Sequence, residues 1–290
     1  MTEFWIDQGS SGAYSDVPNE DVVGYISRGD SILIWAIDGA SALTDTPFTV
    51  FSGESNSGWF SRRLSECLKS EFKSHSFSTV ALMGAINQLR REFVLSANGA
   101  AVDWSWPVAA AVIMEVRELD NRVQMEVHQY SDCFYMSAPG DLEADVMRRR
   151  VSSVSNQSNT WRPASGFNGA KLDALRERRY QQQLNVHSSA LTLNPESALS
   201  GARRCLEVSS PMHILLGSDG LARLWELYDA MEMSEAMSVA AKSGVSGLIE
   251  ELRRFEASVA PFPLDGKPVD DACGIHVFLP GVRAGNLDFG

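Results

Sequence analysis

The sequence predicts an α+β fold, and three observations carry that prediction. Residues 31–37 form a nearly continuous apolar run of strand length, so both faces of that strand should be buried. Residues 108–116 and 123–130 flank Asp120-Asn121-Arg122, a turn that joins two antiparallel strands. Helical spacing comes in blocks between these strands and after them, not after every strand as a doubly wound sheet requires.

The elements follow in order. Gln8-Gly9-Ser10-Ser11-Gly12 reads as a turn or loop, and residues 53–58, rich in Gly and Ser, read as another. Trp59, Phe60, Leu64, Leu68 and Phe72 recur at near-helical spacing. So do Leu82, Ile86, Leu89 and Phe93, with Ser78 as N-cap and Gly99 near the stop. Residues 133–136 continue the sheet. From about 145 to 160 the chain turns basic and then polar, the composition of a mobile surface segment. A short charged helix is expected over 171–183, a strand over 213–217, helices over 221–231, 234–242 and 245–257, and a last strand over 274–279. There is no internal repeat, and no linker calls for a second domain, so residues 1–290 are read as one unit.

Composition narrows the function classes. Hydrophobic residues make up 44% and charged residues 21%, an ordinary balance for a globular protein that buries a core. A net charge of -12 argues against general affinity for nucleic acid or anionic membranes. Cys67, Cys133, Cys205 and Cys273 show no Cys-x-x-Cys spacing, so buried free thiols in a reducing compartment are expected. The start has no signal-peptide pattern, and even the run 107–114 is far too short to span a bilayer. The expected location is cytoplasmic.

Four acidic islands are the main functional signal: Asn19-Glu20-Asp21, Asp38-Gly39, Ser218-Asp219-Gly220 and Asp270-Asp271. Singly, each has an ordinary explanation. Asp-Gly is a common turn pair, Ser-Asp-Gly caps helices, Asn-Glu-Asp suits a solvated loop, and a paired Asp at a strand end can discourage edge pairing. Jointly these explanations weaken. Three islands abut strongly apolar strands, where unpaired carboxylates are costly, and a bound hard cation relieves several at once.

The ordered set resembles the metal-dependent protein phosphatases of the 2C type over most of the chain. Asn-Glu-Asp lies near the N-terminus, a strand ends in Ala36-Ile37-Asp38-Gly39, and Tyr130-Ser131-Asp132-Cys133 stands where the family has Gly-Asp-Ser. Leu-Leu-Gly-Ser-Asp-Gly-Leu follows at 215–221, and Asp-Asp-Ala heads the last strand. The resemblance implies a four-layer α-β-β-α sandwich of two mainly antiparallel sheets with helices outside. It implies two Mn²⁺ or Mg²⁺ ions bridged by Asp38. Asp219 and Asp270 complete one ion, and Glu20 and the carbonyl of Gly39 complete the other. Asp21 ligates or orients metal-bound water. It further implies hydrolysis of phosphomonoesters, above all phosphoserine and phosphothreonine on proteins. The attacking water bridges two ions roughly 3.5–4 Å apart, with Asp38 and Asp219 central to catalysis. Residues 145–170 fall where the family carries a substrate-facing flap.

Three positions depart from the family pattern. Asp16 stands where an arginine grips substrate phosphate, so a substitute would have to come from Arg28, Arg62, Arg63 or Arg162. No histidine follows Asp38-Gly39 as general acid. Asp132 matches a ligand of a third, weaker ion, but its partner position is Arg223, which disfavours that ion and could pair with Asp132 directly. These departures keep two alternatives open: a catalytically silent binding module, and a phosphatase for a small metabolite. None of the five histidines forms a ligand-like cluster, and Trp104 and Trp106 read as core or loop anchors.

Overall fold

Alternation along the strands sorts side chains into three apolar layers in the computed structural model. The structure describes residues 4–14, 18–43, 50–51, 53–119, 122–140, 169–259 and 269–280. One sheet has the order β1 (Trp5–Ser11), β10 (Ala272–Leu279), β9 (Met212–Gly217), β6 (Phe134–Pro139). The other runs β2 (Val22–Arg28), β3 (Ser31–Gly39), β4 (Val108–Leu119), β5 (Arg122–Tyr130), β8 (Ala202–Ser209), with the short β7 (Leu191–Thr192) against β4. All of these pairings are antiparallel.

Ile32, Ile34 and Ala36 of β3 meet Ile214 and Leu216 of β9 and Ile275 and Val277 of β10 between the two sheets. The opposite face of β3, with Leu33, Trp35 and Ile37, packs on α1 (Asn56–Glu71) and α2 (Thr79–Ala97). Leu215 of β9 packs on α4 (Asp219–Glu226) and α5 (Met233–Val259). The result is the expected α-β-β-α sandwich. The Trp35 indole also donates to Ser65 Oγ at 2.9 Å, tying β3 to α1 inside the core.

Several local expectations need correction. The stretch expected as a turn at Gln8–Gly12 is mostly the second half of β1, because the edge of β10 offers it a ladder from Gln8↔Ile275 to Ser11↔Ala272. Pairing here overrides Gly and Ser composition. Helix α1 starts inside the expected loop at 53–58, since Ser55 caps it by accepting from the Gly58 amide at 2.9 Å. Ser78 precedes α2 but makes no side-chain capping bond, and that helix stops at left-handed Asn98. Helix α4 begins two residues early and ends at Glu226. The two expected later helices are α5, broken at Gly244, where φ is 75°.

β2 and β8 were not expected. Both are sheet edges, and the polar, exposed side chains of β8 mask its alternation. Among the cysteines, Cys67, Cys133 and Cys273 are buried thiols, whereas Cys205 on edge strand β8 is exposed. No helix among the described residues is long and apolar enough to cross a membrane. Asp120 and Asn121 of the expected turn, and 145–168 of the expected flap at 145–170, lie outside the described residues, while 169–170 belong to the start of a helix over Gly169–Gln183.

Candidate functional site

The inner-face rows run on past their apolar residues at one end of the sandwich. On β3, Ile32, Ile34 and Ala36 are succeeded by Asp38. On β9, Ile214 and Leu216 are succeeded by Ser218. On β10, Ile275 and Cys273 are preceded by Asp271. Asp219 opens α4 beside this row, and Asp270 precedes β10. Glu20 and Asp21 lie just before β2. Asp38, Asp219 and Asp270 share a cavity of about 230 Å³ with Asp132, Arg178 and Arg179.

Backbone contacts pin the acidic residues. Asp271 accepts from the Ala13 and Glu20 amides, each at 2.7 Å. Asp21 takes its turn from Asn19, whose Oδ1 accepts the Asp21 amide at 2.9 Å. Ser218 Oγ donates to Asp21 and accepts from the Cys273 amide at 3.0 Å, so one hydroxyl joins three elements. The Ser55 hydroxyl donates to Glu20 Oε1. Two glycines are required by close approach. A Cβ on Gly39 would lie 2.8 Å from the Glu20 carbonyl oxygen, and one on Gly220 would lie 1.8 Å from the Asp271 carbonyl oxygen. Asp-Gly recurs here because neighbouring backbone occupies the side-chain space, and not only because of turn geometry.

Electrostatics at this end are strained. Burial pushes the Asp21 carboxyl well up, with Asp271, Asp270 and Asp219 adding to the rise and Ser218 opposing it. Burial also raises Asp38 well above the carboxylate range, reinforced by the charges of Asp21 and Asp219. Asp219 rises chiefly by burial, although its hydrogen bond with Asp38 pulls it down. Asp21 Oδ2 is buried without a hydrogen-bond partner.

Among the described residues, no three His, Cys, Asp or Glu side chains stand ready to enclose an ion. Two of the candidate carboxylates have protein partners in this structure: Arg223 lies 3.1 Å from Asp270, and the Ser55 hydroxyl donates to Glu20. The donor set still fits a hard divalent cation. It is all oxygen, its carboxylates repel one another, and one buried oxygen is unpartnered. Glu20, Asp21, Asp38, Asp219, Asp270 and the Gly39 carbonyl are the groups that could hold such ions.

Other expectations are revised. Arg223 reaches Asp270 at 3.1 Å and the Tyr228 hydroxyl at 3.3 Å, so its described ion pair is with Asp270 and not with Asp132. Asp132 is exposed at the cavity rim. Asp270-Asp271 does not guard an edge, because β10 lies between β1 and β9. Arg28 is committed to Glu115 at 2.7 Å, Arg62 to Glu54 and Glu66, and Arg63 to Glu66 and Glu92, all outside the cavity. Asp16 and Arg162 lie outside the described residues. His213 and His276 do form a pair, Nδ1 to Nε2 at 3.1 Å, stacked and buried on the outer face of the β9–β10 ladder.

Sequence reasoning missed the arginines of α3 (Gly169–Gln183). Arg176 Nε donates to the Leu43 carbonyl at 3.1 Å and lies over the Trp104 ring at 4.5 Å. Arg179 Nη2 donates to the Ser41 carbonyl at 3.2 Å, and Gln183 donates to the Pro107 carbonyl at 3.0 Å. Positions 176, 179 and 183 share one helix face and lash α3 to the segments after Asp38-Gly39 and before β4. That spacing was the available signal.

No family model matches this chain, and no curated protein matches it in sequence. The fold does have solved counterparts. The RsbU and RsbW domains of Rv1364c from Mycobacterium tuberculosis superpose with TM-score 0.50 at 13% identity, over 97% of this chain and 62% of that one. Serine/threonine phosphatase Stp1 from Staphylococcus aureus is similar at 0.49, with 12% identity over 97% and 96% of the two chains. The catalytic domain of serine/threonine protein phosphatase PstP, solved with two manganese ions, gives 0.49, with 12% identity over 96% and 98%. The first likeness establishes the fold; the other two add no argument to it.

Proposed function

We propose that this chain is a Mn²⁺- or Mg²⁺-dependent phosphomonoester hydrolase, with phosphoserine and phosphothreonine on proteins as its substrate class. The observation that carries the reading is the convergence of carboxylates from four distant segments at one end of the sandwich, where burial disfavours their charge and Asp21 Oδ2 has no partner. Glu20, Asp38, Asp219, Asp270 and the Gly39 carbonyl would hold the cations, and Asp21 would ligate or orient water beside them. Bound divalent ions supply Lewis-acid activation of the phosphate ester and of the attacking water. The chain's own work is to fix these oxygens from two sheets and to close the back of the cavity with buried backbone. A polar small-molecule phosphoester fits the same chemistry. Mn²⁺-dependent hydrolysis of a phosphothreonine peptide, compared in native protein, Asp38→Asn and Asp219→Asn, tests the reading. Loss in both variants supports it, and an inert native protein with metal bound overturns it.

A second reading is favoured by the Arg223–Asp270 ion pair: a module that keeps the fold and binds a partner without turnover. Calorimetry separates the two. A catalytic pair takes up close to two Mn²⁺ per chain, and the silent module one or none.

A further inference from the structure

A phosphate ester brings its own negative charge to a cavity already lined by carboxylates. Cations held by those carboxylates can compensate only part of it, and position 16, where a phosphate-gripping arginine was expected, carries Asp. The positive charge at this cavity comes from elsewhere. Arg178 and Arg179 of α3 line it beside Asp38, Asp219 and Asp270.

Arg179 is 8% exposed. Burial pulls its guanidinium down to about 10, with Glu20 opposing that shift from a distance. No carboxylate among the described residues forms an ion pair with it, and its described hydrogen bond is to the Ser41 carbonyl. A buried guanidinium without a paired anion is costly unless a ligand supplies the charge. It is also held in place. The bonds of Arg176 and Gln183 on either side fix the helix, and the Ser41 bond fixes the side chain, leaving little freedom to lose on binding.

A second cavity of about 500 Å³ adjoins the first and shares Ser131, Arg178, Gln182 and Ala190 with it. Beyond Arg178 it is lined mainly by polar groups, including Gln181, His187 and Ser188, with the carboxylate of Glu177 and the apolar Ala174 and Val186 among them. Arg178 is exposed and makes no described ion pair, so it stands free at the junction.

We propose that α3 supplies the phosphoryl grip of this site: Arg179 binds the substrate phosphate, Arg178 assists at the junction, and the remainder of the substrate lies in the adjoining polar groove. A guanidinium suits this role because its planar fork offers paired donors to two phosphoryl oxygens. The inference rests on the phosphohydrolase reading and deepens it.

The test is calorimetric titration of inorganic phosphate into Mn²⁺-saturated native protein, Arg179→Gln, Arg179→Lys and Arg178→Gln, with Mn²⁺ stoichiometry and thermal midpoint measured for each. The expected result is a phosphate Kd raised tenfold or more in Arg179→Gln, partly recovered in Arg179→Lys and raised about threefold in Arg178→Gln, with metal stoichiometry unchanged. The corresponding loss in peptide hydrolysis should fall mainly on KM. Equal or tighter phosphate binding by Arg179→Gln overturns the inference and leaves the hydrolase reading standing, since Arg179 would then be a counterion for the carboxylates. Native protein that takes up Mn²⁺ but no phosphate overturns both. Should Arg179→Gln fail to fold, Arg179→Lys and exposed Arg178→Gln decide by the same readout, and native-like phosphate affinity in both overturns the inference.

Discussion

Arg223 Nη2 lies 3.1 Å from Asp270 Oδ2, so a protein cation already stands against a carboxylate proposed to hold metal. Arg223 and a bound cation would compete for one oxygen pair. Replacing Arg223 with Gln should lower the thermal midpoint of metal-free protein and tighten Mn²⁺ binding about fivefold, the worth of a partly buried pair of ~1 kcal/mol. Weaker Mn²⁺ binding by calorimetry would show instead that Arg223 supports the site.

Asp38 tests the strain in the cluster. With neighbours that all raise its pKa, its charge opposes folding at neutral pH. Asp38→Asn should therefore be more stable than native protein without metal. At one hundred times the Kd, Mn²⁺ should stabilise native protein by ~2.7 kcal/mol and leave the variant nearly unmoved. Thermal melts with and without Mn²⁺ read both effects, and an equal metal shift in the two proteins would remove Asp38 from the ligand set.

His276 sets a pH dependence of its own. Burial, with His213 beside it, pushes its pKa down to about 3, while the unfolded chain titrates near the ordinary value of 6.5. The folded state then binds fewer protons, so its stability is fully present above that value. It is lost as pH falls toward about 3, by up to ~1.4 kcal/mol per pH unit. Asp7 of β1, opposite His276, is raised by burial and acts in the other direction, as do the raised Asp21, Asp38 and Asp219. Urea unfolding at pH 7 and pH 5 should show a smaller loss in His276→Phe than in native protein. Identical losses would mean that water reaches the pair.

Gly220 offers a steric test. Its missing Cβ would overlap the Asp271 carbonyl oxygen, so Gly220→Ala must shift either the start of α4 or the start of β10. A loss of about 3 kcal/mol in urea unfolding is expected, with weakened Mn²⁺ binding because Asp219 and Asp270 flank the collision. Native-like stability would show that the two backbones move apart freely.

The carboxylates of the candidate site were legible from the chain because they abut long apolar runs, and buried strands announce themselves by composition. Asp38 follows residues 31–37, and Asp219 follows the run that ends at Gly217. What escaped notice lay where burial is one-sided. β2 and β8 are sheet edges, β8 with exposed polar side chains, and the second half of β1 is built of residues that favour turns until β10 pairs with them. Arg179 escaped for a related reason. In a helix so rich in charge, a buried arginine looks like its exposed neighbours until the backbone of residues 41–43 is placed against it.

Asp271 holds the Ala13 and Glu20 amides together from another strand. The Glu20 backbone is therefore anchored to the head of β10 as well as to its own neighbours in sequence. A carboxylate from the far end of the sequence thus acts as a brace for the first acidic island: loosening Asp271 would displace Glu20 without touching its side chain.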